Sequence, residues 1–285
     1  MIDAAAAITR FAVHLDLLLL FGLAVYPLHG DGAARRPGWL IALAVAGLAA
    51  SLFAFASMAA GMTGATLATL DRETVTMIAL ETDPGRAFLV RIGALALVVP
   101  FTWRPGIAGI FAGTALASLA WSGHAAMHEG LAGMAHRTAD IVHLLAAGAW
   151  MGALALLLAM IASRTTATAR LHDALSRFGT AGSILVGSIL LTGLANLWFI
   201  VGTDALARLP DTLYGRLLAL KLLAFLAMLA LAANNRWRLT PLLRGDAVDA
   251  APARRALRTS IGCETACAVA IVALVAILGN LSPLD

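Results

Sequence analysis

Eight long stretches of apolar residues follow one another along almost the whole chain. A helix needs roughly 20 mostly apolar residues to cross a bilayer, and these stretches have about that length. They are too long for strands and do not alternate between apolar and polar residues. The sequence therefore predicts an all-α, polytopic membrane helical bundle of about eight transmembrane helices, at approximately residues 8–28, 39–61, 86–103, 105–123, 138–163, 178–201, 213–235 and 257–281.

The composition supports insertion into a membrane. Hydrophobic residues make up 61% of the chain and charged residues only 13%, which is about half the charged fraction of an ordinary soluble domain. Basic residues are scattered over short loops, so the sequence does not predict binding to nucleic acid. We predict a single transmembrane domain over residues 1–285, with N-terminal helices 1–4 at about 8–123 and C-terminal helices 5–8 at about 138–281.

The loops between the predicted spans differ in their content of Lys and Arg. Loops after the first, third, fifth and seventh spans carry about twice as many of these residues as the loops on the other side. Cytoplasmic loops are enriched in Lys and Arg. Both termini are therefore predicted to face the periplasm, with the chain in the inner (plasma) membrane of a bacterium and in contact with lipid.

The segment from Trp121 to Trp150 holds four of the seven histidines. His124 and His128 are four residues apart and would share one face of a helix, with Met127 close to that face. Met134 and His136 are predicted to follow across a short turn that contains glycine. All of these side chains are expected at the outward membrane surface.

Imidazole and thioether groups are ligands that suit copper, and the thioether selects Cu⁺. Other methionines are predicted on the same side of the membrane, since Met58 and Met62 lie at the outward end of the second span. The clustering of these groups predicts an outward copper site that accepts Cu⁺ or Cu²⁺. Its candidate ligands are His124, Met127, His128, Met134, His136, Met58 and Met62.

Two further histidines are predicted inside the membrane. His14 and His143 would each lie roughly 8–9 Å below the outer surface of their spans. Together with His124 they are expected to form a deeper copper site, in which Asp140 would orient the ring of His143. A single histidine in a membrane helix is nevertheless more often a packed residue than a ligand. The prediction of a copper site therefore depends on the clustering of several His and Met residues on one side of the membrane.

The same pair of histidines supports an alternative. Two histidines on different helices at equal depth, such as His14 and His143, are able to ligate haem b from both sides. The chain would then be a membrane b-type cytochrome or a cupric reductase. Only one such cross-helix pair is present in the sequence.

Several short motifs resemble the CopD/PcoD family of bacterial copper-resistance inner-membrane proteins. They are SGHA at 122–125, ADIVHLLAAGAWMG at 139–152, LTGLAN at 191–196, LYGRLLALK at 213–221, and Glu264 in the last span. The resemblance is strongest from about Trp121 to the end of the chain. The positions that match the family pattern are His124, Asp140, His143, Asn196, Tyr214, Lys221 and Glu264.

This resemblance implies a role in copper homeostasis and resistance. It implies that copper crosses the inner membrane, with a periplasmic copper chaperone as donor, and it is compatible with a homo-oligomer. The sequence has no nucleotide-binding loop, so transport would follow a gradient or a handover of copper between proteins. We predict no catalytic residues and no enzymatic activity.

Overall fold

The apolar stretches form long helices in the computed structural model, which describes residues 4–29, 37–121, 130–205, 207–244 and 247–282. Seven helices in these ranges are long and apolar enough to cross a membrane, and the same ranges contain no strand. The predicted helical membrane bundle is therefore confirmed. The helices are α1 (Ala4–His29), α2 (Pro37–Thr63), α3 (Arg72–Glu81), α4 (Asp83–Val98), α5 (Pro105–Ala117), α6 (Gly130–Ala162), α7 (Thr168–Ala205), α8 (Leu213–Asn234), α9 (Thr240–Leu242) and α10 (Ala247–Leu278).

The fourth predicted span is shorter than the other seven. It consists of α5, with 13 residues, and a 3-10 turn at Ser118–Trp121. At 1.5 Å per residue in an α-helix and about 2.0 Å in a 3-10 helix, the combined length is roughly 28 Å. That length nearly matches a hydrocarbon core of about 30 Å, so this short helix is still able to reach across the membrane.

Three predicted loops are partly helical, which corrects the predicted boundaries. The helices begin at Gly130, Thr168 and Ala247 instead of near 138, 178 and 257. The added segments are polar but rich in Ala and Arg, which favour helix. Hydropathy marks where a helix meets lipid, not where its backbone hydrogen bonds begin, and the predicted loop boundaries were wrong for that reason.

Helix α1 lies at the centre of the bundle and packs against α2, α5, α6 and α10. Its contact with α6 depends on glycine. A Cβ atom on Gly22 would overlap the backbone of Gly148 and Gly152, and a Cβ atom on Gly152 would overlap the backbone of Gly22. Without side chains at these positions the two helix backbones touch directly, which is how membrane helices associate closely.

The two ends of the bundle are distinguished by the positions of the first and last helices. Because consecutive crossings reverse direction, α1 begins on the side of the membrane where α10 ends. A Cβ atom on Gly279 would overlap the Arg10 guanidinium, so these two helix ends lie next to each other. We call this the terminal side and the other the opposite side. That the terminal side faces the periplasm remains a prediction from the loop charges.

The short helix α3 also belongs to the terminal side, where it packs against α2 and α4. Asp71 caps its N-terminus by accepting hydrogen bonds from the Thr74 amide at 2.8 Å and from the Thr74 hydroxyl at 2.7 Å. These two bonds hold the pKa of the Asp71 carboxyl below its usual value. The cap orders the connection between the second and third membrane helices.

Candidate metal centre

Three of the predicted copper ligands, His124, Met127 and His128, lie outside the described residues. The site is therefore built from the remaining candidates. Among residues 4–29, 37–121, 130–205, 207–244 and 247–282, no group of three or more His, Cys, Asp and Glu side chains is arranged to hold a metal ion. A site of three or more protein ligands within these ranges would therefore have to include another ligand type, such as methionine.

His143 is held on α6 by a hydrogen bond to α7. Its Nδ1 atom lies 3.0 Å from the Thr192 hydroxyl, and that hydroxyl donates its own hydrogen to the Ser188 carbonyl at 2.5 Å. The Thr192 oxygen must therefore accept from Nδ1–H. This fixes the tautomer and leaves the lone pair of Nε2 for another partner, as in metal-binding histidines.

The predicted role of Asp140 is different in the structure. We expected Asp140 to orient the His143 ring, but Thr192 occupies the hydrogen-bonding position beside Nδ1. Asp140 instead accepts a hydrogen bond of 3.2 Å from the Asn196 amide. The Asp140 carboxylate also lies within electrostatic reach of the Lys221 ammonium. Four positions of the family pattern, on three helices, thus come together around His143.

His143 lines a membrane-embedded cavity of about 230 Å³ enclosed mainly by α6, α7, α8 and α10. We call it the central cavity. Met151 and Met228 line it as well, and both are almost fully buried. One imidazole and two thioether side chains therefore line the same cavity, and the soft thioethers favour Cu⁺.

A second cavity of about 370 Å³, here called the inner cavity, contains Glu264. The Glu264 side chain is 1% exposed. Its carboxylate accepts hydrogen bonds of 3.1 Å from the Trp150 indole N–H and from the Asn235 amide. Asn235 begins a π-helical turn, Asn235–Leu239, at the end of α8, and such turns are frequent at functional sites.

Trp150 lines both the central and the inner cavity. It stands two turns after His143 on α6, about 10 Å further along the helix axis. Besides its hydrogen bond to Glu264, its ring packs edge-on against Phe178, with 5.5 Å between ring centroids. One indole side chain therefore forms part of the wall between a cavity with soft ligands and a cavity with a buried carboxylate.

His14 lies in a third cavity, of about 340 Å³, which we call the outer cavity. Its Nδ1–H donates to the Arg10 carbonyl at 2.8 Å, so its Nε2 is also unprotonated. Met58 lines the same cavity, together with the guanidinium groups of Arg10 and Arg91. His14 and His143 thus face separate cavities, so the structure brings them together neither in one copper site nor across one haem.

The other candidates are distributed over the terminal side. His136 belongs to α6, is 1% exposed instead of lying at the surface, and stacks on Phe199 with ring centroids 4.9 Å apart. Met134 and Met62 are exposed, so their sulfurs are accessible. Tyr214 is buried in a small apolar cluster with Val201 and Leu278, which indicates packing.

Sequence reasoning missed Trp150, Met151 and Met228 as parts of the site. A usable signal existed for Met228, because it follows Lys221 by seven residues and so shares its helix face. No comparable signal marked Met151. No sequence signal linked Trp150 to the site, because its partner Glu264 is 114 positions away in the chain.

Comparisons with known proteins identify relatives of this chain. The family model for the copper resistance protein D-like N-terminal domain matches residues 1–134, and that for copper resistance protein D matches residues 172–278. The chain is 37% identical to copper resistance protein D of Pseudomonas syringae pv. tomato, over 99% of this chain and 97% of that protein. It is 29% identical to inner membrane protein YebZ of Escherichia coli strain K12, over 85% and 87% of the two chains. No solved structure matches the chain.

Proposed function

Because the chain belongs to the copper resistance protein D family of multi-pass inner-membrane proteins, we propose that it carries copper ions across the membrane through the central and inner cavities. The observation that carries this proposal is the position of Trp150. Its side chain lines both cavities, with His143 on one side and Glu264 on the other. Copper is the cargo in this proposal, not a resident cofactor.

The central cavity supplies the binding step. The Nε2 lone pair of His143 and the sulfurs of Met151 and Met228 are neutral ligands, and the soft thioethers bind Cu⁺ well and hard cations poorly. Lys221 also lines this cavity and would repel a cation. The nearby Asp140 carboxylate, oriented by Asn196, offsets that charge. A singly charged ion is therefore tolerated there better than a doubly charged one.

The inner cavity supplies the release step. A buried carboxylate attracts a cation that has left neutral ligands, and Glu264 already accepts two hydrogen bonds that fix its position. When the Trp150 indole swings away, its hydrogen bond to Glu264 is lost and the carboxylate oxygen becomes available to the ion. As copper moves past Trp150, the Glu264 carboxylate thus exchanges the indole N–H for the copper ion.

The remaining candidates fit a collecting surface on the terminal side, which the loop charges predict to be periplasmic. His124, Met127 and His128 would receive copper there from a periplasmic chaperone. The exposed sulfurs of Met134 and Met62 extend this surface, and Met58 and His14 are less suited because two guanidinium groups lie beside them. His136 is stacked on Phe199 and would act by positioning its helix.

Copper uptake into vesicles tests the proposed function directly. The full chain is reconstituted into liposomes that contain a Cu⁺-responsive fluorescent chelator, and Cu⁺ with ascorbate is added outside. We expect uptake well above that of protein-free liposomes. An absorption spectrum of the same preparation separates this proposal from the cytochrome alternative. A Soret band that shifts on reduction with dithionite, without copper uptake, would contradict transport and favour haem.

Substitution of Glu264 separates release from binding. Glu264→Gln keeps the shape of the side chain and removes the negative charge, so we expect uptake to fall by at least about tenfold, the factor that corresponds to 1.4 kcal/mol. Copper binding at His143 is expected to stay, because the two side chains lie in different cavities. Equilibrium titration with Cu⁺ and the uptake assay give the two readings. Uptake equal to that of the unsubstituted protein would exclude Glu264 from the route.

A further inference from the structure

The outer cavity differs from the other two in its charge. Arg10 and Arg91 both line it, one from α1 and the other from α4. Arg91 is only 6% exposed and its Nε donates to the Ser118 hydroxyl at 2.9 Å. The cavity therefore holds two arginine side chains from different helices, and one of them is almost completely enclosed by protein.

Neither arginine has a carboxylate partner in the part of the chain that the structure describes. The ion pairs found there involve other residues. The described residues around the cavity include no Asp or Glu. Charged side chains at membrane depth are costly and almost always pair with one another or with a ligand. Two guanidinium groups without an acidic partner among the described residues are thus available to bind an added anion.

The shape and chemistry of the cavity define the partner. Guanidinium groups present planar forks of N–H donors that match the oxygen atoms of phosphate. The Thr9 hydroxyl and the Asn280 amide line the same space and add neutral polar groups. A volume of about 340 Å³ accommodates a phosphate group. A bare copper ion is disfavoured here, because two positive charges would lie close to it.

We propose that the outer cavity binds a phosphate-type oxyanion between Arg10 and Arg91. The anion is either free phosphate from the solution or the headgroup phosphate of a membrane lipid, and both sources present the same oxygen atoms. In either case its negative charge offsets part or all of the positive charge of the two arginines. This site is separate from the copper route proposed above, since His143 and Glu264 line other cavities.

Binding measurements on the full chain test this site and distinguish the two sources. Protein in maltoside detergent and phosphate-free buffer is titrated with inorganic phosphate by calorimetry, and native mass spectrometry records phospholipids that stay bound after purification. Both are repeated on Arg10→Gln and Arg91→Gln, with Arg86→Gln as control. Arg86 is on α4 as well, but it is exposed and pairs with Asp83 at 3.8 Å.

We expect saturable phosphate binding if the ligand is free anion, and retained phospholipid if it is a headgroup. Either signal should weaken by at least about tenfold in Arg10→Gln and in Arg91→Gln, because a charge-assisted hydrogen bond is lost, and it should persist in Arg86→Gln. Arg91→Gln loses the hydrogen bond to Ser118 and could misfold for that reason. In that event Arg10→Gln is the variant that tests the proposal, because the Arg10 side chain has no such hydrogen bond. The proposal is overturned if the unsubstituted protein binds neither ligand, or if Arg10→Gln binds as well as the control.

Discussion

Replacing His143 by Ala is expected to abolish copper binding in the central cavity and to stop copper uptake. The substitution removes the one nitrogen ligand of the proposed set and leaves the thioethers of Met151 and Met228. Loss of a partner that merely orients a metal ligand weakens binding by about 10–100-fold, and loss of the ligand itself should exceed that. The measurement is Cu⁺ affinity by competition with a chelator, together with vesicle uptake.

His172→Ala is the matched control for this substitution. His172 is also buried, but it lies near the start of α7 beside Asp173 and Ser176. It is absent from the linings of the central, inner and outer cavities. Copper affinity and uptake should stay within about twofold of the unsubstituted protein, a change of well under 1 kcal/mol. If His143→Ala matched this control in both assays, the central cavity would not be the copper site.

Replacing Gly152 by Leu is expected to prevent assembly of the bundle. The Cβ atom alone would overlap the backbone of Gly22, and a rotamer change cannot move a backbone away. The α1 and α6 helices would have to separate, and with them the packing of α1 that organises the fold. Overpacking in a well-packed core typically costs about 1–3 kcal/mol. Because the new side chain would overlap backbone atoms, we expect Gly152→Leu to destabilise the protein by the upper value of that range or more.

Size-exclusion chromatography and thermal unfolding measure that effect. Gly152→Leu should give little monodisperse protein, or a strongly lowered Tm. Gly93→Leu on α4 is the control, because a Cβ atom on Gly93 meets no atom within 4 Å and its side chain would point towards lipid. Equal yield and Tm for the two variants would mean that the close approach of Gly22 and Gly152 is not needed for folding.

The architecture was largely predictable because it follows from lipid as the solvent. Backbone groups in a bilayer must bond within their own segment, so apolar runs of sufficient length become helices. Asp140, His143, Asn196 and Lys221 were also singled out from the sequence, through the resemblance of their motifs to a family pattern. The structure adds that these residues share one region, although they belong to three helices.

The parts that sequence reasoning missed all depend on tertiary contacts. His136 was predicted to follow a short turn at the outward membrane surface, whereas it lies inside α6 and stacks on Phe199 of α7. The hydrogen bond between Trp150 and Glu264, and the cavity that Met151 and Met228 both line, involve residues that are far apart in sequence. Local patterns of hydropathy carry no information about such contacts. His14 and His143 illustrate the same limit, since equal predicted depth did not place them in one cavity.

The Trp150 side chain would also limit the leakage of ions other than copper across the membrane. A hydrogen bond to a charged group is worth about 1.5–3 kcal/mol and an aromatic contact about 0.5–1.5 kcal/mol, so swinging the indole away should cost a few kcal/mol. With a tenfold change in population for each 1.4 kcal/mol, the open arrangement would be a minor one, on the order of one molecule in a hundred or fewer. If copper passes Trp150 as proposed, protons and sodium ions would then leak along the same route only rarely.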